Sequence, residues 1–243
     1  MGYDDPVPSK YYVDGEKRAG RVVDLFAAVA PRYDLINDLQ SLGMHRRWKR
    51  RLVHEAGIRV GERALDVCCG TGDVAFALRD LGAEVTGLDF SEAMLGIARK
   101  RNTGGAVRFL QGDALALPFP DQTFDVVTVA YGVRNLADVH AGLAELLRVL
   151  RPAGRLLILE FGKPESAVWR WLYFQYLRWL VPVFGRVFCG DGDTHSYILE
   201  SLMKYPGQRG VDELLRARGC HLTRVVPLVG GAMALNVAVK SGP

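Results

Sequence analysis

Three features of this chain are spaced so that a single ligand could meet them all. The turn Gly70-Thr71-Gly72 follows an apolar run, Ala64 to Cys68, and precedes a helix-compatible stretch, Asp73 to Leu81. Asp89 ends a second run about seventeen residues on, and Asp113-Ala114 closes a third. A strand, a glycine turn and a helix start bring free N–H groups and a positive dipole end to one spot. Glycines there let the chain turn sharply or let a ligand come close. An acid ending the second strand can accept ribose hydroxyls, and one ending the third can accept an exocyclic amine. An adenosine-bearing ligand is the chemistry this pattern invites; an ordinary βα turn is the plain alternative. The dinucleotide fingerprint is incomplete, because position 75 is alanine.

Two further groups could carry chemistry. Arg134 and Asn135 lie just past a fourth apolar run, Phe124 to Ala130, where open α/β sheets place their ligands; the plain alternative is that Arg134 pairs with a carboxylate and Asn135 caps a turn. Earlier in the chain, Tyr33, Asp34, Asn37 and His45 are polar groups of the kind a pocket uses, and they precede the basic run Arg46 to Arg51 around Trp48. That segment reads either as a lid over a substrate or as a solvated helix face with Trp48 turned inward.

Strands alternating with helices must position these groups. Strands are expected at 63–68, 84–89, 107–111, 124–130 and 155–161, with helices at 73–79, 92–101 and 138–150. Ser91 reads as an N-cap. Such alternation implies a parallel sheet with right-handed crossovers. A helix at 211–218 and a closing hairpin, 222–229 and 232–240, would make one strand antiparallel. The expected fold is therefore α/β and Rossmann-like, with seven strands, a tail at 1–15, a helical lid at 16–60 and a core at 61–243. Between core elements sits an insertion, 163–206, holding three of the four tryptophans. Pro182 and the recurring Arg170, Arg178 and Arg186 exclude a membrane span there. It could pack on the core, line a pocket for a large apolar ligand, or lie at a membrane surface with its arginines toward headgroups.

Composition bounds the rest. The 243 residues are 49% hydrophobic and 24% charged with a net charge of +4, as for a globular protein with a mild basic bias. No second basic stripe with interleaved aromatics accompanies Arg46, Arg47, Lys49, Arg50 and Arg51, so no nucleic-acid partner is expected. Four cysteines in no zinc or disulfide spacing read as reduced thiols, no metal site is visible, and no export signal opens the chain.

The series DVCCGTGD, GLDFSEAML, GDALALPFPD and LRVLRPAGRLLILEF resembles the class I S-adenosylmethionine-dependent methyltransferases. Tyr33-Asp-Leu-Ile-Asn37, His45-Arg46, Tyr131-Gly-Val-Arg-Asn-Leu136, Glu160-Phe-Gly-Lys-Pro164 and Ser196-Tyr-Ile-Leu-Glu-Ser201 are similar to blocks of the ubiquinone/menaquinone biosynthesis C-methyltransferases, in order along nearly the whole chain. The Cys-Cys-Gly-Thr form of the loop looks more like the demethylmenaquinone enzymes than the benzoquinol ones. The resemblance implies an S-adenosyl-L-methionine cofactor held at Thr71, Asp89, Asp113 and Ala114, with Gly70 and Gly72 shaping the loop. It implies C-methylation of a prenylated hydroquinone, with Arg134 stabilising a phenolate, Asn135 orienting it, and His45 and Tyr197 as further catalytic candidates. Tyr33, Asp34, Trp171 and Trp179 become candidate substrate contacts. The setting implied is cytoplasmic, with peripheral contact at the inner face of the cell membrane and room for a homodimer. Asn236 and Ala238 stand where that family often has histidine and glycine.

Overall fold

The computed structural model describes residues 20, 30, 33–183 and 193–242. The expected tail at 1–15, Phe184, Arg186, Phe188 and most of the first expected helix lie outside them, as do the side chains of Tyr33 and Asp34. Seven strands form one sheet in the order β3-β2-β1-β4-β5-β7-β6. They are β1 (Arg63–Val67), β2 (Glu84–Asp89), β3 (Val107–Gln111), β4 (Phe124–Ala130), β5 (Leu150–Phe161), β6 (Cys220–Leu228) and β7 (Met233–Lys240). All neighbours pair in parallel except β7, antiparallel to both β5 and β6. The expected seven-stranded, mostly parallel sheet with one antiparallel strand is the sheet found.

Two apolar layers sandwich this sheet. In β4, Val126 joins the layer with Leu52, Leu78 and Leu95, while Val127 and Val129 join the layer with Leu143, Leu202 and Leu215. Successive strand residues point to opposite faces, and both faces are covered, so β4 reads as a continuous apolar run. The helices carrying these layers are α1 (Tyr33–Ser41), α2 (Met44–Ala56), α3 (Asp73–Asp80), α4 (Glu92–Arg101), α5 (Val139–Val149), α6 (Ala167–Gln175), α7 (Asp193–Lys204) and α8 (Gly207–Ala217). Ser91 caps α4 by accepting from Met94 N, and Asp138 caps α5 by accepting from His140 N and Ala141 N.

Two boundaries differ from the sequence reading. Strand β5 begins at Leu150 instead of 155, because Leu150 already pairs with Phe124 before a register shift. Residues 151–154, between the expected helix at 138–150 and strand at 155–161, are therefore an irregularity inside the strand, with Ala153 at φ 60°. Helix α8 begins four residues early, at Gly207. Within the insertion, α6 runs into a π-helical turn, Tyr176–Leu180. Among the described residues, no helix is long and apolar enough to cross a membrane, and no cluster of three or more histidine, cysteine or acidic residues could hold a metal ion.

One acid lies inside the sheet. Asp66 is buried in β1, and its Oδ1 accepts from Thr128 Oγ1 at 2.7 Å. Burial pushes its carboxyl up to about 7, against the hydrogen bond and nearby Lys49. A folded-state pKa above the unfolded one stabilises the protonated form. Stability from this group is therefore full below about pH 4 and is lost as pH rises to about 7. Asp66→Asn should abolish that slope. Melting temperatures of the two proteins from pH 4 to 8 should diverge with rising pH, the variant being the more stable by up to an order of 3–4 kcal/mol at pH 8.

Candidate active site

The carboxyl ends of β1 to β4 converge on a small cleft of about 90 Å³ lined by Gly70, Asp89, Asp113, Ala114, Gly132 and Asn135, among others. Gly70 holds φ 55°, a left-handed conformation that favours glycine, and a Cβ built there would meet no protein atom within 4 Å. It would instead project into open space beside the loop. Asp89 is tied in place by Gly70 N on Oδ2 (2.8 Å) and Ser91 N on Oδ1 (2.9 Å). Each of its oxygens keeps a further lone pair for a ligand donor. Burial raises its pKa, and the backbone N–H groups offset part of that rise. Asp113 Oδ1 accepts from Leu115 N at 2.9 Å. Two fixed carboxylates and an open glycine loop fit an adenosyl ligand with ribose hydroxyls and an amine to donate.

A second, larger space lies beside the first. It measures about 530 Å³, and its walls come from α1, α2, α6, the π-helical turn and the ends of β5 and β7. Trp48, Phe161, Trp169, Tyr173, Tyr176 and Leu177 are among the residues that make it mostly apolar, while His45, Arg134 and Tyr197 supply polar groups. Such a lining suits a large apolar molecule with one polar end. Tyr176 OH donates to Gln40 O at 3.3 Å, so the insertion and α1 meet across this space.

Tyr131 lines both spaces. Its φ is 62°, an uncommon conformation for a bulky residue that costs of order 1 kcal/mol or more. Surrounding bonds hold it there. Tyr131 N donates to Leu159 O (2.8 Å), and Tyr131 O accepts from Arg134 Nη1 (2.8 Å) and Asn135 Nδ2 (3.1 Å). Arg134 Nη1 also pairs with Glu160 Oε1 at 2.6 Å, with both side chains buried, and the guanidinium lies over Phe161 at 4.6 Å. Asn135 Oδ1 in turn accepts from Tyr197 OH at 3.1 Å.

The sequence-derived candidates are thus sorted. Gly70, Asp89, Asp113 and Ala114 line the smaller cleft. Thr71 and Gly72 do not; Thr71 is buried with its carbonyl accepting from Arg101 Nη1, and Gly72 backs onto Phe76 and Phe109. Arg134, Asn135 and Tyr197 form one network, and Arg134 reaches the larger space already paired with Glu160. His45 lines the larger space. Trp171 and Trp179 do not, being 52% and 68% exposed. Tyr33 and Asp34 open α1, and their side chains lie outside the described residues. Asn236 donates to Gln208 O at 2.8 Å and lines neither space.

The sequence reading missed three groups. Glu160 was seen only as part of a block, although a buried acid at a strand end is a signal in itself. Trp169, Tyr173 and Tyr176 share one helical face, a period that separates them from Trp171 and Trp179. Lys49 belongs to a basic run whose composition reads as surface charge, yet Lys49 Nζ reaches Asp73 at 2.9 Å, joined there by Arg101 Nη2 at 2.7 Å. Burial alone would raise the Asp73 carboxyl; the two cations hold it down at about 2.

The sheet order, the acids at its carboxyl edge and the adjoining apolar chamber define a Rossmann-like methyltransferase. Solved structures agree on the fold. A putative methyltransferase in complex with the Haloferax volcanii Trm112 activator superposes with TM-score 0.67 at 21% identity, covering 91% of this chain and 98% of that one. An S-adenosylmethionine-dependent methyltransferase from Thermotoga maritima, described as a possible histamine N-methyltransferase, gives 0.64 at 20% identity over 90% and 99%. The particular family follows from sequence: residues 13–240 match the ubiE/COQ5 methyltransferase family, and the chain belongs to it. Ubiquinone/menaquinone biosynthesis C-methyltransferase UbiE of Marinomonas sp. is 40% identical over 93% of this chain and 92% of its own length. The protein of that name from Idiomarina loihiensis is 42% identical over 90% of each.

The Arg134–Glu160 pair can be probed directly. Removing one partner of a buried pair strands the other charge, typically at a cost of about 3–5 kcal/mol. Glu160→Ala should therefore lower the unfolding free energy by that order, and Glu160→Gln by less. Urea unfolding followed by circular dichroism checks both.

Proposed function

We propose that this protein catalyses S-adenosylmethionine-dependent C-methylation of a prenylated hydroquinone, with demethylmenaquinol as acceptor, at the cytoplasmic face of the membrane. The observation that carries this reading is the sharing of Tyr131 by a cleft with two fixed carboxylates and an apolar chamber of about 530 Å³. The UbiE relatives carry the matching activity in their names, and the Cys68-Cys69-Gly70-Thr71 loop favours the menaquinol form over the benzoquinol form.

Asp89 would accept the ribose hydroxyls, Asp113 and the Ala114 backbone would face the adenine, and the Gly70 loop would take the amino-acid end, with Thr71 and Gly72 holding the loop. When bound, S-adenosylmethionine supplies an electrophilic methyl group on a sulfonium. The chain must hold a ring carbon in line with it, assist loss of a hydroxyl proton and keep water out. Arg134, fixed by Glu160, places positive charge beside an oxygen that becomes negative. Asn135 and Tyr197, bonded to each other, orient the ring, with Tyr33 and Asp34 as further contacts. Helices α1 and α2 would act as a lid, and α6 with the π-helical turn would hold the prenyl tail.

The outer face of the insertion supports a peripheral membrane contact. Val168, Trp171, Leu172, Trp179, Leu180 and Val183 are exposed there, interrupted by Arg170 and Arg178. Tryptophan and arginine together suit the interface between headgroups and acyl chains.

Three measurements test this. Calorimetry with S-adenosylmethionine should show binding that Asp89→Ala weakens about 100-fold, the size of two charge-assisted hydrogen bonds; no binding by the unaltered chain would defeat the reading. Quinone profiling of a deletion strain should show demethylated menaquinone, and accumulation of a benzoquinol precursor instead would move the assignment to ubiquinone. Trp171→Ser/Trp179→Ser should reduce co-sedimentation with anionic liposomes several-fold, and unchanged sedimentation would remove the membrane contact.

A further inference from the structure

We propose that Ser41 and His45 form a dyad in which Ser41 fixes the imidazole tautomer and His45 Nε2 takes the proton from the acceptor's hydroxyl. This rests on the quinol-methylating reading above and names the group that reading leaves open. His45 is then a catalytic residue and Ser41 a positioning residue.

Hydrogen-bond bookkeeping decides the tautomer. A serine hydroxyl has one proton and two lone pairs. Ser41 Oγ stands 2.6 Å from Asn37 O, which can only accept, so the single proton is committed there. The same Oγ lies 2.9 Å from His45 Nδ1 and 3.2 Å from His45 N. With its proton spent, Oγ can only accept from both, so Nδ1 carries the ring proton. Asp38 Oδ1, 3.7 Å from Nδ1, favours a proton on that side too. In the neutral ring the lone pair then falls on Nε2.

The chain geometry makes this arrangement local and rigid. Leu42 at φ 50° and Gly43 at φ 73° break α1 from α2 in a tight corner. That corner brings Ser41 back over the first turn of α2, where it also satisfies the otherwise unpaired His45 N. His45 is buried and lines the apolar chamber.

The surrounding charges leave a neutral imidazole as the available base. On α1 and α2, Asp38 is bound by Arg46 through two contacts, 2.7 and 2.6 Å. From α3, Asp73 holds Lys49. Across the chamber, Arg134 is held by Glu160, and Tyr131, Tyr173, Tyr176 and Tyr197 are the other titratable groups lining it. Burial, followed by the charge of Lys49, moves the His45 pKa below that of free imidazole. The ring is therefore unprotonated at neutral pH and able to receive a proton.

The step balances. The acceptor's O–H bond breaks and its proton passes to Nε2. The freed pair delocalises through the ring to carbon, which bonds to the methyl carbon while the sulfur–carbon bond breaks and its pair stays on sulfur. The ring C–H proton then leaves to water, His45 returns its proton to the oxygen, and the aromatic quinol is restored. One proton is released overall.

The test uses the full chain labelled with ¹⁵N-histidine. Two-bond ¹H–¹⁵N correlation at pH 8 separates the two tautomers of the five histidines, and the set lost in His45→Gln identifies His45. An Nδ1–H tautomer is expected, becoming a mixture in Ser41→Ala and restored in Ser41→Thr. With S-adenosylmethionine and a demethylated menaquinol, Ser41→Ala should lower kcat about ten-fold, the scale of one hydrogen bond, with KM within two-fold, and Ser41→Thr should rescue it. An Nε2–H tautomer in the unaltered chain overturns the proposal, as does a kinetically silent Ser41→Ala. Failure of the unaltered chain to methylate any quinol overturns the reaction itself, an outcome separate from the spectrum.

Discussion

The buried ion pair between Arg134 and Glu160 is the constraint on which the site's shape depends. Two charges in a sheet's interior are costly unless every donor and acceptor is used. Here Glu160 accepts from Arg134 Nη1, from Arg134 N and from Phe161 N. The same Nη1 holds the Tyr131 carbonyl, and the Phe161 ring covers the guanidinium. An apolar pair of equal volume could stabilise the fold as well, but it could not grip a carbonyl. What the ion pair secures is a single conformation of residues 131–135, including the left-handed Tyr131 that stands between the two spaces.

A second chain of contacts couples the chamber side to the glycine loop. Helix α2 carries His45 and Trp48 toward the chamber and Lys49 toward Asp73 at the start of α3. Asp73 is shared with Arg101, and Arg101 reaches back to the carbonyl of Thr71. A displacement of α2 would therefore pull on the loop that precedes α3. The tie is an ion pair with a partly exposed partner, so it biases this arrangement by a modest amount and leaves α2 able to shift.

How much was legible in the sequence follows from how local each feature is. Asp89 and Asp113 could be placed because a parallel sheet gathers all its carboxyl ends at one edge, and each strand announced itself by its own apolar run. The pairing of Arg134 with Glu160 could not be read. It depends on the register of β4 against β5, which sets Ala130 beside Leu159 and so brings Glu160 of β5 up to the turn after β4 that carries Arg134. The insertion was legible in composition but not in orientation. Its density of aromatic residues suggested a groove, and Trp171 and Trp179 were chosen from that density. Helical periodicity places Trp169, Tyr173 and Tyr176 inward instead. Thr71 and Gly72 are neighbours of Gly70 in sequence, and only the turn's backbone decides that, of the three, Gly70 faces the cleft. Ser41 carried no signal of its own, since its role arises from the sharp corner at Leu42 and Gly43.

The distribution of exposed apolar residues is uneven, and that unevenness has a physical reason under the proposed reaction. Leu42, Met44, Trp169, Leu172 and Val229 both line the chamber and remain open to the outside. Two of them, Trp169 and Leu172, belong to α6, whose exposed face also carries Val168 and Trp171 and is interrupted by Arg170. A prenyl tail crossing water to reach the chamber would expose its whole surface, at about 25 cal/mol for each Å². A rim that is itself apolar, set against a bilayer, lets the tail pass from lipid to protein without that exposure. Leaving Leu42 89% exposed costs the free protein some solubility. Under the proposed reaction the rim would be covered during catalysis: one face of α6 closes the chamber, and the other would meet the medium from which the acceptor comes.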